Sequence, residues 1–235
     1  MKVRLLFLAA LLLPELPLDP FRGGLAPGWP HLLGMDELGR DALLRLSLAG
    51  ARSLGFASAC ALLALLLAWA LAALRPLRET SSALRGIPPL LLLIPLAAAG
   101  GGLGWAGLTL LLAALLAAHL EAPLRTRLER MQRTPAWASG RILGASPLHQ
   151  ARTWLPWAWA EGSALFPAVW LDALWGEATL SALGLGPGPE HDSLGRLLHE
   201  ELPRLSTDPS ALGWGALILV LALAWSSQLE TRAWT

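Results

Sequence analysis

The chain has one cysteine, Cys60, one lysine, Lys2, and a charged fraction of only 15%. A lone cysteine inside an apolar run excludes an internal disulfide framework and a multi-cysteine metal site. It says nothing about redox compartment. With Lys2 the only lysine and no G-x-x-x-x-G-K-S/T stretch, the chain is not an ordinary P-loop ATPase. It also lacks an H-E-x-x-H zinc helix and a G-x-S-x-G elbow, and His31, His119, His149, His191 and His199 are scattered along the sequence. No catalytic residue, metal site or resident cofactor is therefore expected. A formal net charge of +1 gives no sign of a nucleic-acid partner, so basic residues have to be read by position.

What the chain does have is apolar length. Hydrophobic residues make up 54% of it, a balance that a dispersed soluble domain of this size does not easily carry, so lipid is the expected solvent. A spanning helix needs about 20 mainly apolar residues. At 1–18, Lys2 and Arg4 precede a short apolar run in which Pro14 and Glu15 intervene and no Ala-x-Ala site follows. This reads as a short uncleaved span, with a signal peptide as the alternative. Residues 19–45 are rich in Pro, Gly and charge and belong in water. Further spans are expected at 50–74, at 87–99 before the glycines 100–102 and 104, at 105–120, at 154–185 and at 211–225. Pro88 and Pro89 suit a helix's first turn, Pro95 suits a kink, and His119 suits a helix end. The expectation is an all-α membrane protein of about six spans.

Arginines concentrate at 75–85 and 121–156, whereas the segments 19–45 and 184–209 hold most of the acids. By the positive-inside rule the basic segments and both termini are cytoplasmic. The tryptophans read as interfacial anchors or packing.

Three motifs carry a resemblance. The first is His31-Leu-Leu-Gly-Met-Asp-Glu-Leu-Gly-Arg-Asp41, followed by Leu44-Arg45 and Gly50-Ala51-Arg52-Ser53-Leu54. It resembles the "HxLGTDELGRD" signature of the C-type permease subunits of bacterial dipeptide, oligopeptide and nickel ABC importers, with Met35 in place of threonine. The second, Gly140-Arg-Ile-Leu-Gly-Ala-Ser-Pro-Leu148 with Leu155-Pro156, is similar to the end of the cytoplasmic coupling loop of such importers. Ala138 stands where the family has glutamate, and the run from Gly144 to Pro156 is one residue shorter than usual. The third, Glu177-Ala-Thr-Leu-Ser-Ala-Leu-Gly-Leu-Gly186, is similar to "EAxLSFLGLG", with Leu194-Gly195 where the family has "WG".

The resemblance covers most of the chain beyond the first thirty residues. It implies a type I importer permease core at 46–235, a periplasmic loop at 19–45 and an N-terminal anchor at 1–18, in the bacterial inner membrane. It implies an ATPase-coupling loop within 121–156, built on Ala138, Ser139, Gly140, Gly144, Ala145, Ser146, Leu155 and Pro156, and a periplasmic motif of Asp36, Glu37, Gly39, Arg40 and Asp41. The implied partners are a second homologous permease, two ATPase subunits that bind the ATP and magnesium, a periplasmic solute-binding protein and membrane lipid. The implied function is import of peptides or similar small solutes.

Each motif also has a plainer reading. The acids 36–41 suit a helix cap as well as gating or binding-protein contact. The arginines 125–152 suit attraction to anionic lipid, about 1 kcal/mol each near the surface. Glu161, Asp172 and Glu177 interrupt an apolar stretch, and a charge at mid-bilayer costs about 3 kcal/mol on insertion scales. Asp172 and Glu177 are therefore candidate pathway residues. The rival functions are a secondary transporter or channel that uses these acids to carry ions, and, with less support, an intramembrane enzyme.

Overall fold

A computed structural model describes residues 23–25, 27–31, 33–36, 38–73, 86–99, 104–188 and 191–202. The expected spans at 1–18 and 211–225, the basic segment 75–85, the glycines 100–102 and Glu37 lie outside the described residues. Among the described residues there are six helices and no strand, only an isolated antiparallel bridge between Met35 and Asp41. The helices are α1 (Ala42–Ala73), α2 (Pro89–Ala99), α3 (Trp105–Gln132), α4 (Pro135–Ile142), α5 (Pro147–Ala182) and α6 (Leu194–Glu201).

Two of them, α1 and α3, are long and apolar enough to cross a membrane. Both are dominated by Ala and Leu, the strongest helix formers. Asp41 starts α1 by accepting the Leu44 N–H at 2.9 Å on its carboxylate, satisfying one of the free donors of the first turn. The third expected span is shorter than its apolar run suggests. Helix α2 has 11 residues, about 17 Å at 1.5 Å per residue, which falls short of a bilayer core of about 30 Å.

The bundle forms around alanines. Ala57, Ala61, Ala64 and Ala68 of α1 are fully buried, and their small side chains let α3 and α5 approach through Leu112, Ala113, Val169, Ala173 and Leu174. Helices α1 and α3 run parallel: Phe56, midway along α1, meets Trp105 at the start of α3 at 5.5 Å, and Ala68 and Ala72 further along α1 pack with Ala117 and Leu124 further along α3. Helix α5 runs antiparallel to both, since Ser58 accepts the Trp170 indole N–H at 3.0 Å while Trp69 meets Trp157 at 6.4 Å.

The basic segment 121–156 folds as helix rather than loop. Arg125 pairs with Glu121 at 2.5 Å one turn away and approaches Glu129 at 3.9 Å on the other side. Such i,i+4 pairs extend α3 to Gln132. Helix α5 then begins on Ser146, which accepts the His149 N–H at 3.2 Å, with Pro147 in the first turn. His119 sits inside α3 rather than at its end, donating Nδ1–H to the Leu115 carbonyl at 2.9 Å. Within the acidic segment 184–209, Ser193 caps α6, and Leu194 and Leu197 fold against Ala49 of α1.

Candidate functional site

The described bundle has two contrasting ends. At the first, the chain from His31 to Asp41 folds back onto the start of α1. Asp36 accepts the Leu38 and Arg40 N–H groups at 3.0 and 2.8 Å on one oxygen, and Arg40 Nε at 2.7 Å on the other. Gly39 turns the chain with φ +74°. His31 Nδ1 donates to Asp41 at 2.8 Å. Burial opposes ionisation of Asp41, but the hydrogen bonds from His31 and Leu44 outweigh it and hold its carboxyl below the ordinary 3.8.

Arg45 is the hub of this end. Its guanidinium is buried and donates to Asp192 at 2.8 and 3.1 Å, to Glu200, and to Asp36 at 3.4 Å. Arg196 lies 2.9 Å from the second oxygen of Glu200. Two turns of helix further along α1, Ser53 donates to Glu177 at 2.8 Å, Ser181 donates to the other Glu177 oxygen at 2.7 Å, and Ser53 accepts the Leu194 N–H at 3.0 Å. The first and third motifs, joined by a bond between residues 124 positions apart in sequence, therefore meet in space. Gly195 makes the contact possible: a Cβ there would lie 2.3 Å from the Ala178 carbonyl and 2.7 Å from Ser181 Cβ.

The second end is built on α4. Helix α4 stops with the Ala145 N–H donating to the Gly140 carbonyl at 3.0 Å and Gly144 at φ +74°, a left-handed helix stop that favours glycine. Ser146 starts α5 two residues later. This corner leaves Ile142 and Leu143 85% exposed, with Leu155 and Trp159 exposed on the first turns of α5. Trp137 rests on Trp154 at 5.6 Å and ties α4 to α5. Of the residues expected in the coupling loop, Ala138, Ser139, Gly144, Ser146, Leu155 and Pro156 are exposed, while Gly140 and Ala145 are half-buried. Arg127 pairs with Glu161 and joins α3 to α5 above the corner.

The structure separates the two candidate pathway acids. Glu177 is fully buried and surrounded by serine hydroxyls, whereas Asp172, five residues earlier, lies on the outer face of α5. Sequence reading passed over Arg45, Asp192, Glu200 and Ser53 as site residues. The usable signal was an arginine just before an apolar run, which costs free energy unless carboxylates meet it.

No protein-family model and no curated protein matches the chain.

Proposed function

We propose that the chain is the membrane-spanning permease subunit of an ATP-driven importer for peptides or similar small solutes. The observation that carries this reading is the corner between α4 and α5. There a short helix presents Ile142 and Leu143 to the outside, flanked by the arginines of the 125–152 segment and held by backbone hydrogen bonds at Gly144. Exposed aliphatic residues on a rigid turn fit a groove on a partner, and a basic flank fits an acidic rim. The three motifs support the same reading, because the coupling motif falls on this corner and the other two meet at the opposite end of the bundle.

On this reading the chain has about six spans in a type I importer core, sits in the bacterial inner membrane, and keeps both termini and the corner in the cytoplasm. ATP and magnesium are bound by two ATPase subunits that close and push on the corner. A second, homologous permease completes the pathway, and a periplasmic binding protein delivers solute to the Arg45 end. The permease performs no bond chemistry.

The test is co-purification of the tagged chain from its native membrane. An ATPase and a second permease elute with the unaltered chain, and the ATPase is lost with Gly144→Arg, which puts a long cation at a left-handed position on the docking surface. A chain that elutes alone and still moves solute on an ion gradient is a secondary transporter, and the importer reading is then wrong.

A further inference from the structure

Four acids lie along the apolar lengths of α3 and α5, and three are satisfied. Glu121 pairs with Arg125, Glu161 with Arg127, and Glu177 with Ser53 and Ser181. Asp172 differs: among the described residues no hydrogen bond or ion pair reaches its carboxylate, and it is exposed. It also lies deep. Trp170 bonds to Ser58 within the apolar stretch of α1, and Gly176 packs on Leu112 in the middle of α3.

The outer faces of two helices separate what lipid can cover from what it cannot. The exposed stripe of α1 is Ala59, Leu62, Leu66, Ala70 and Ala73, all apolar. On α5 the exposed face around Ala168 and Trp175 carries Asp172. An ionised carboxylate at mid-depth is not left against acyl chains. Its neighbour is His119, close enough to act on it electrostatically.

We propose that the face of α5 around Asp172 lines a water-filled path and that the Asp172 carboxylate receives the positively charged amine of a passing solute. The inference rests on the transport reading but not on ATP coupling. A lone exposed carboxylate suits a donor-rich ammonium. One carboxylate is too few ligands for a divalent ion, and no group of three or more metal-ligating side chains occurs among the described residues.

Thiol labelling of the full chain in its native membrane tests this without knowledge of the solute. Cys60 is buried and is replaced by alanine, and a reporter is placed by Ala168→Cys, one turn from Asp172 on the same exposed side. A cationic trimethylammonium-ethyl methanethiosulfonate should react about tenfold faster than the anionic sulfonato-ethyl reagent, because a charged path concentrates its counter-ion. Asp172→Asn should bring that ratio to about one while leaving the rate with an uncharged methanethiosulfonate unchanged, which reports an intact fold. Trp175→Cys repeats the measurement from the other side of Asp172, and Leu66→Cys on α1 should stay unlabelled. A reporter at 168 as silent as the one at 66 overturns the water-filled path. Equal rates with the two charged reagents while Asp172 is intact overturn the cation preference. Either outcome leaves the co-purification result untouched, so failure here is distinguishable from failure of the importer reading.

Discussion

The two ends of the bundle are held by different physics. At the Arg45 end, side chains from three distant stretches are locked by a buried guanidinium, a buried glutamate and a glycine-mediated close approach. At the corner, the turn is held mainly by its own backbone hydrogen bonds and one tryptophan pair, and its largest aliphatic side chains face outward. Buried ionic networks are costly to break but add little net stability over a well-packed apolar core, so they serve best to select one arrangement. Exposed apolar groups on a pinned turn add nothing to the isolated chain and gain their stabilisation only when covered. One end specifies a shape, and the other leaves apolar side chains uncovered.

Substitutions can break this contrast. Arg45→Met should have the largest effect, because Asp192, Glu200 and Asp36 lose their shared cation. About 3 kcal/mol of stability should go, seen as a lowered thermal midpoint in detergent and faster proteolysis of the 192–200 segment. A midpoint within experimental error of the parent would mean that the cluster is solvated rather than locked. Gly195→Ala should cost about 2 kcal/mol, since the new methyl meets the Ala178 carbonyl, and it should release α6 without disturbing α4. Ser53→Ala removes a donor from Glu177 and the acceptor of the Leu194 N–H, at a cost of about 1.5 kcal/mol by the same assay.

A smaller effect depends on pH. The carboxyl of Asp41 titrates below its unfolded value of 3.8, so its contribution is fully present above that value and disappears as pH falls through the lower folded value. The thermal midpoint of the parent should therefore fall as pH is lowered below 3.8. Asp41→Asn keeps a cap for Leu44 but removes the titrating charge, so its midpoint should lack that step. The smallest effect on stability belongs to the corner. Leu143→Ser should shift unfolding by no more than about 0.5 kcal/mol, as expected of an exposed site. On the importer proposal, its consequence should appear in retention of an ATPase. A large loss of stability there would show that the corner is part of the folded core after all.

Much of the bundle was legible in the sequence. The apolar runs that became α1 and α3 stand out because Ala and Leu serve both helix propensity and burial, and the Gly144–Pro147 stretch contains both the stop of one helix and the start of the next. Other features depend on partners that periodicity does not reveal. Arg45 meets Asp192 across 147 positions, and nothing local to either residue names the other. The α6 segment reads as loop because prolines, glycines and acids surround it, yet Ser193 and two leucines suffice to fold it against α1. The segment 121–156 reads as loop because it is charged, but charges spaced four apart reinforce a helix. Asp172 and Glu177 look alike in sequence, and only the direction each faces assigns one to a serine cage and the other to the outside.

Helix α5 starts at the corner and runs for 36 residues, about 54 Å, to the serines that hold Glu177. A helix of that length is stiff along its axis, so a push of a few ångströms on its first turn is delivered largely undiminished to its last. Pro156 and Pro167 each leave a carbonyl without its usual intrahelical donor and are where such a rod flexes. The chain thus contains a strut with two defined bending points, reaching from the exposed corner to the serine-held Glu177 at the far side.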